Sequence, residues 1–255
     1  MPELPVRVPT DFRIIAHRGA SGYAPENTLA AFLLAERMGV TEIELDIQFS
    51  RDRQLVIVHD ETLERYGYPG LAVAALDFAE LAALDLGSWF SPFLYRGEHL
   101  LTLSTLFQVF RDRMIYHVEL KTPSPDLPGA VLECVNTNGL RARTIITSFH
   151  FDLLTRVKTL SPDQRVGWLL RANQFTRENI ARAVDAGFFQ ICPMAAETNR
   201  EMVALARALQ VRAHSVKGLA EMLQAIQSGC DGITTNWPDW LVHETERRDD
   251  CGKGK

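Results

Sequence analysis

Hydrophobic residues follow two different spacings that alternate along this chain. Short runs rich in β-branched residues have the pattern of buried strands, and the segments between them have the apolar spacing of amphipathic helices. The predicted strands cover 14–16, 43–49, 55–58, 116–120, 144–149, 165–170, 188–192, 211–216 and 232–235. The predicted helices cover 28–38, 77–84, 127–138, 152–160, 178–186, 200–209, 218–227 and 238–245. This alternation predicts a parallel sheet whose faces are covered by helices.

The number of repeats indicates how the sheet closes. Eight main strands in a chain of 255 residues fit a single-domain (β/α)8 TIM barrel better than an open doubly wound sheet. No G-x-G-x-x-G motif opens a helix, which argues further against a dinucleotide-binding sheet. We predict one barrel domain over 1–255, with a core over about 12–245, a disordered tail over 246–255, and a small hairpin and loop insertion after the second strand.

Two residues mark the ends of the predicted helix over 28–38. Asn27 precedes it and is expected to cap its N terminus, because asparagine side chains accept hydrogen bonds from the free backbone N–H groups there. Gly39 follows it and is expected to adopt the left-handed conformation in which many helices end. The stretch over 88–102 is expected to form an irregular loop.

The composition is that of an ordinary globular protein and excludes several kinds of partner. The chain has 46% hydrophobic residues, and its 27 basic and 32 acidic residues give a net charge of −5. Because no run is rich in Lys or Arg, neither a nucleic acid nor an anionic membrane surface is an expected partner. No apolar segment is long enough to span a bilayer, and the N-terminal sequence lacks the features of a secretion signal, which predicts a cytoplasmic protein.

Four cysteines are scattered along the chain, and none forms a CxxC pair with another. Reduced thiols are therefore expected, rather than disulfides or a zinc site, at Cys134, Cys192, Cys230 and Cys251. Any metal bound by this protein is expected to have oxygen ligands.

Acidic residues occupy one face of two predicted strands. Glu44 and Asp46 alternate with apolar residues in the second strand, and Glu119 does so in the strand over 116–120, with Lys121 next on the same face. Both faces of a barrel strand are covered, so these carboxylates need a counter-charge. Enzymes with this fold place their active sites at the C-terminal ends of the strands. Three carboxylates favour Mg²⁺ or Ca²⁺ over zinc, with Lys121 as an anion-binding group.

Two histidines end predicted strands near this site. His17 is followed by Arg18 at the end of the first strand, and His59 follows the run over 55–58, which the hairpin returns to the barrel rim. Imidazole groups titrate near neutral pH and suit acid and base roles, and the planar guanidinium of Arg18 suits a phosphate. Together they indicate metal-dependent phosphoester chemistry. His117 lies one layer deeper on the acidic face of its strand and is expected to be a core histidine.

Five short motifs carry these residues in chain order. They are His17-Arg18-Gly19, Pro25-Glu26-Asn27-Thr28, Glu44-x-Asp46, Val58-His59-Asp60 and Glu119-x-Lys121. This ordered set resembles the glycerophosphodiester phosphodiesterase family, and the resemblance continues to the segment over 230–238 near the end of the chain. One motif of this length is weak, whereas five in the same order are specific.

The resemblance implies a function and a role for each residue. It implies hydrolysis of glycerophosphodiesters, such as glycerophosphocholine and glycerophosphoethanolamine, to glycerol 3-phosphate and an alcohol, with one divalent cation as cofactor. The implied roles are acid and base for His17 and His59, with His59 the expected base, phosphate binding for Arg18 and Lys121, and binding of Mg²⁺ or Ca²⁺ for Glu44, Asp46 and Glu119. Glu26 and Asn27 are expected to shape the first loop.

Two other functions fit the same residues. One is a phospholipase D-like enzyme acting on lysophospholipids or sphingolipids. Such an enzyme needs a wide apolar channel, and the only sequence features that suggest one are Phe93 and Leu94. The other is a catalytically silent barrel that binds anions, although such a protein has no need of paired histidines. The family often carries Trp-Thr-Val after the seventh strand, whereas this chain has Ala213-His214-Ser215-Val216-Lys217, so one wall of the pocket is expected to differ.

Overall fold

The computed structural model describes residues 6–242, in which eight parallel strands form a closed barrel. The barrel strands are β1 Arg13–His17, β2 Glu42–Phe49, β4 Ile115–Leu120, β5 Thr144–Ser148, β6 Arg165–Leu169, β7 Gln190–Cys192, β8 Gln210–Ala213 and β9 Gly232–Thr235. The remaining strand, β3 Leu55–Ile57, pairs antiparallel with β2. The sheet closes because β1 pairs with both β2 and β9. The predicted TIM barrel with a hairpin after its second strand is confirmed.

Helices cover the outside of the barrel between successive strands. They are α1 Leu29–Arg37, α3 Leu103–Phe110, α4 Leu127–Thr137, α5 Phe151–Leu160, α6 Arg177–Asp185, α7 Arg200–Leu205 and α8 Leu219–Ser228. A shorter helix, α2 Phe78–Ala82, packs through Leu81 in a separate hydrophobic cluster. Residues 239–242 are also helical. The remainder of the helix predicted over 238–245, the predicted tail and Cys251 lie outside the described residues. Within 6–242, no helix combines the length and the apolar composition needed to cross a bilayer.

Helix α3 is absent from the helices predicted above, although its sequence carries the signal. Its four buried residues have helical spacing, and Thr102 caps its N terminus by accepting a hydrogen bond from the backbone N–H of Thr105. The residues that face the barrel are Leu103, Leu106, Phe107 and Phe110. The helix follows directly on the irregular stretch over 88–102, which hides its start in the sequence.

The expected cap of α1 was also wrong. Thr28 is the N-cap residue, and its hydroxyl accepts a hydrogen bond from the backbone N–H of Ala31 at 3.3 Å. Asn27 instead has a φ of 59° and donates its side-chain amide to the Oδ2 atom of Asp46 at 2.9 Å. A contact with a distant carboxylate thus takes precedence over the local cap. Gly39 has a φ of 84°, as expected for the end of this helix.

The chain between β2 and α3 forms an insertion with a hydrophobic cluster of its own. We call this cluster the second core; its buried residues are Val56, Val58, Leu63, Tyr66, Val73, Leu81, Leu86 and Leu100. The insertion is joined to the barrel where the backbone N–H of Val58 donates to the carbonyl oxygen of Asp46 at 3.0 Å. That hydrogen bond brings the residue after Val58 to the barrel mouth, because Asp46 lies toward the C-terminal end of β2.

The register of β2 and β4 places polar side chains in two layers inside the barrel. Asp46 is opposite Glu119, and one layer deeper Glu44 is opposite His117. Side chains two residues apart on a strand share one face, so the acidic residues of both strands point into the barrel. The upper layer lies at the C-terminal end of the strands, where an active site is expected.

Candidate active site

A cavity of about 340 Å³ opens at the C-terminal end of the barrel strands. Its lining residues are His17, Arg18, Glu44, His59, Glu119, Lys121, Phe149, Leu169, Arg212, His214, Ser215, Val216, Lys217, Thr234 and Asn236. Six of the seven site residues predicted from the sequence are in this lining. The seventh, Asp46, is fully buried and forms an ion pair with the guanidinium group of Arg18.

Three carboxylate groups converge at the cavity. One oxygen from each of Glu44, Asp46 and Glu119 lies within 4.8 Å of the others, and all three residues are buried. Burial and the charge of Asp46 raise the pKa of Glu119 to about 7 and raise that of Glu44 well above its usual value. Burial also raises the pKa of Asp46, but the charges of Arg18 and Lys121 outweigh it, so this pKa lies below its usual value.

This group of carboxylates fits a divalent cation. The Oδ1 atom of Asp46 is buried without a hydrogen-bond partner among the described residues. Burial, followed by the charge of the neighbouring acids, raises the pKa values of Glu44 and Glu119 and so disfavours their ionised forms when no cation is present. Mg²⁺ and Ca²⁺ prefer carboxylate oxygens, and these are the only ligand atoms in the group. The three acids can therefore hold a hard cation, which would stabilise their ionised forms.

Two basic residues border the carboxylates. Arg18, with a φ of 54°, places its guanidinium group between Asp46 and Glu26, with Nε 3.0 Å from Oδ2 of Asp46 and Nη1 2.9 Å from Oε2 of Glu26. The Nζ atom of Lys121 is 2.8 Å from Oε1 of Glu119 and 3.6 Å from Oδ1 of Asp46. Because both side chains also line the cavity, they can bind an anion there with their remaining N–H groups.

The imidazole of His17 is fixed by a neutral partner. Its Nδ1 atom lies 2.6 Å from Oδ1 of Asn236, an amide oxygen that accepts, so we assign the proton to Nδ1. The Nε2 atom then carries the lone pair and is 3.9 Å from Oε2 of Glu44. Burial, followed by the nearby charge of Arg18, lowers the pKa of His17 to about 3. The free protein therefore holds His17 neutral at pH 7.

The imidazole of His59 is fixed by a charged partner. Its Nδ1 atom lies 2.6 Å from Oδ1 of Asp60, and the other oxygen of Asp60 accepts from Nε of Arg65 at 2.9 Å. Burial raises the pKa of Asp60, but the hydrogen bonds from Arg65 and His59 outweigh it and lower the pKa. An ionised Asp60 orients His59 and leaves its Nε2 atom free, which is the arrangement of a general base held by a carboxylate.

Several residues at this site received no role from the sequence. Asn236 directly follows β9, and its place after a strand end is the signal that could have identified it. Arg212 alternates with apolar residues on β8 and points into the barrel, where it donates to Gln190, Thr234 and the sulfur of Cys192. It is fully buried and has no carboxylate partner among residues 6–242. Arg212 thus supplies a fixed positive charge to the floor of the cavity.

One histidine inside the barrel is part of the core, as expected. His117 is fully buried, and its Nε2 atom is 2.8 Å from Oε2 of Glu42, which also accepts from Nε of Arg13 at 2.7 Å. Near the mouth, His214 lines the cavity and its Nε2 atom donates to the carbonyl oxygen of Leu170 at 2.9 Å. Trp237 stacks on Trp240 and is not part of the lining.

We expect cation binding at the three carboxylates to strengthen as the pH rises from 6 to 7. Glu119 is largely protonated below its pKa of about 7, so a cation that binds there must displace a proton. The dissociation constant for Ca²⁺ or Mg²⁺ should fall by about fivefold from pH 6 to pH 7 through Glu119 alone. Calorimetric titration in two buffers of different ionisation enthalpy measures both the affinity and the number of protons released. An affinity that does not change with pH would contradict the assignment of Glu119 as a ligand.

Comparisons with known proteins give consistent results. The sequence pattern of the glycerophosphoryl diester phosphodiesterase family matches residues 17–240. The Bacillus subtilis protein YhdW is 34% identical over 238 residues, which cover 91% of this chain and 97% of the relative. The glycerophosphodiester phosphodiesterase of Caldanaerobacter subterraneus is 30% identical over 239 residues, covering 90% and 96%. A solved Oleispira antarctica phosphodiesterase, in complex with its product sn-glycerol 3-phosphate, is similar with a TM-score of 0.83 and 27% identity, covering 94% and 97%.

Proposed function

The chain belongs to the glycerophosphoryl diester phosphodiesterase family, and from this premise we propose that it hydrolyses glycerophosphodiesters, including glycerophosphocholine and glycerophosphoethanolamine, to glycerol 3-phosphate and an alcohol. The members of this family are phosphoric diester hydrolases. The observation that carries the proposal is that two imidazoles, each with its Nδ1 atom held by a partner, line one cavity with a cluster of carboxylates.

The cofactor is one divalent cation, Mg²⁺ or Ca²⁺, held by Glu44, Asp46 and Glu119. When bound, this cation neutralises charge on the phosphodiester and makes the phosphorus atom more electrophilic. The free N–H groups of Arg18 and Lys121 hold the remaining phosphate oxygens. These two basic groups are half-buried and paired with acids, so they are held in place before the substrate arrives.

His59 acts as the general base and His17 as the general acid. Because Asp60 accepts the Nδ1–H of His59 and stabilises a positive imidazole, the Nε2 atom of His59 is suited to take a proton. His17 has only a neutral partner and is uncharged in the free protein, and a bound phosphodiester anion close to it raises its pKa so that it can carry a proton. Asp60 therefore favours the role of base for His59, and Asn236 favours the role of acid for His17.

The nucleophile is a hydroxyl group of the substrate's own glycerol. His59 removes the hydroxyl proton as the glycerol oxygen forms a bond to phosphorus, and His17 protonates the alcohol oxygen as its bond to phosphorus breaks. Water then opens the resulting cyclic phosphate, with His17 as base and His59 as acid, which returns both histidines to their starting states. A hydroxyl held next to the phosphorus has an advantage of proximity over a free water molecule.

We expect the purified protein to release glycerol 3-phosphate from glycerophosphocholine and glycerophosphoethanolamine only when a divalent cation is present. A chelator should abolish the release, and added Mg²⁺ or Ca²⁺ should restore it, because the three carboxylates repel one another without a cation. Coupled detection of glycerol 3-phosphate measures the reaction.

The same assay separates the other functions. Hydrolysis of lysophospholipids or sphingolipids alone would indicate a phospholipase D-like enzyme, and no hydrolysis of any phosphodiester would indicate a silent anion-binding barrel. The cavity does not favour the first of these alternatives. Its apolar lining is limited to Phe149, Leu169 and Val216, which is small for an acyl chain, and the exposed Phe93 and Leu94 are not part of it.

A further inference from the structure

We propose that the outer wall of the cavity selects glycerophosphodiesters whose alcohol part carries a negative charge, such as the carboxylate of glycerophosphoserine, over those with a quaternary ammonium group. This inference rests on the proposed function and concerns which alcohol the enzyme prefers to release. It depends on the charges along the wall between β5 and β8 and on the position of that wall relative to the two histidines.

The wall carries two basic side chains that are free of carboxylate partners. Lys217, which follows β8, is exposed and lines the cavity. Arg171, which follows β6, is also exposed; it does not line the cavity itself, but its guanidinium carbon lies 4.9 Å from the centre of the ring of Phe149, which does. Among residues 6–242 neither side chain forms an ion pair, in contrast to Arg18 and Lys121. Both charges are therefore available to a ligand.

The wall also lacks the groups that would bind a choline cation. The acids in the cavity lining are Glu44 and Glu119, and both belong to the proposed metal site. Phe149 provides an aromatic ring to the lining, but Arg171 lies over it at 4.9 Å and the Nζ atom of Lys121 is 6.0 Å from its centre. A ring that already faces two protein cations is a poor partner for a third.

The order of the strands places this wall on the side from which the alcohol leaves. His17 ends β1, and Lys217 follows β8, so that β9 alone separates them in the barrel. His59 lies beyond β2 on the insertion, on the opposite side of His17 from β9 and β8. If His59 takes the proton of the glycerol hydroxyl and His17 protonates the departing alcohol, then glycerol lies toward the insertion and the alcohol part lies toward Lys217.

The test compares kcat/KM for glycerophosphoserine and glycerophosphocholine in the metal-loaded enzyme at low salt. We expect the wild type to favour the serine ester, and Lys217→Gln to lower the serine-to-choline ratio about two- to fivefold, as for one exposed ion pair. Lys217→Glu should lower the ratio further, by about four- to twenty-fivefold in total. Arg171→Gln should act in the same direction as Lys217→Gln. High salt should reduce the wild-type preference, because ions screen exposed charges.

Arg156→Gln provides the matched control. Arg156 is exposed on α5, forms no ion pair among the described residues and lies outside the cavity lining, so its loss changes the net charge equally without changing the wall. A preference for the choline ester, or a ratio that responds to Arg156→Gln as much as to Lys217→Gln, would overturn the inference while leaving the proposed function intact. Failure to hydrolyse either ester would contradict the proposed function, and this inference with it.

Discussion

His59→Asn is expected to lower kcat by about 10²- to 10⁴-fold while the fold stays intact, because the variant cannot remove a proton from the attacking hydroxyl group. Asparagine retains a side-chain N–H that can donate to Asp60, so the contact between Asp60 and Arg65 should also persist. Steady-state kinetics with glycerophosphocholine measures the loss, and circular dichroism with a thermal melt tests the fold. His17→Asn should give a loss of similar size.

The leaving group distinguishes the two histidines. An ester of glycerol 3-phosphate with p-nitrophenol releases an alcohol that needs no protonation, so the rate of p-nitrophenol release in a single turnover should be largely restored in His17→Asn and little restored in His59→Asn. The opposite pattern would assign the base role to His17, whose Nε2 atom also carries a lone pair in the free protein. Full activity of either variant with the natural esters would refute acid and base catalysis by this pair.

Glu119→Gln is expected to reduce activity by about 10²-fold or more and, at the same time, to stabilise the metal-free protein at pH 8. The loss of activity follows from the loss of a cation ligand. The gain in stability follows from the pKa of Glu119, which is about 7 in the folded protein and near 4.5 in an unfolded chain. A carboxyl group with a raised folded-state pKa contributes its full stability below pH 4.5 and loses it as the pH rises through 7.

At pH 8 the ionised Glu119 therefore costs about 3 kcal/mol in the metal-free protein, and glutamine removes this cost. Thermal melts with and without Ca²⁺ or Mg²⁺ measure both effects: the cation should raise the melting temperature of the wild type and have little effect on Glu119→Gln. Glu133→Gln, on the exposed face of α4, is the control for losing one carboxylate. A variant that is less stable than the wild type at pH 8 without metal would contradict the raised pKa.

The sequence predicts most of the site because parallel strands restrict where their side chains point. Glu44, Asp46 and Glu119 alternate with apolar residues on neighbouring strands, so the barrel fold alone brings their carboxylates together. His17 could be placed at the mouth because it ends a barrel strand, and His59 because the hairpin returns the run before it to the rim. The sequence does not reveal which residues form hydrogen bonds or ion pairs with these functional groups.

These neighbours come from distant parts of the chain. Asn236, which holds His17, is 219 residues away, and no periodicity links the two. Asn27 has a residue type suited to a helix cap, but its amide donates to Asp46 and Thr28 takes the cap. Arg18 was expected to bind phosphate, and the sequence does not reveal that its guanidinium group is also paired with Glu26 and Asp46. Local sequence rules cannot rank such long-range contacts against local ones.

His17 and His59 are held by hydrophobic clusters of different size, because the second core is much smaller than the core of the barrel. His17 belongs to the barrel, whose strands and helices share one large hydrophobic cluster, whereas His59 and Asp60 extend from an insertion that packs around eight buried residues. A small cooperative unit of this kind can open while the rest of the molecule remains native. Such an opening would carry His59 away from the mouth and leave His17 in place, so catalysis would require a folded insertion as well as a folded barrel.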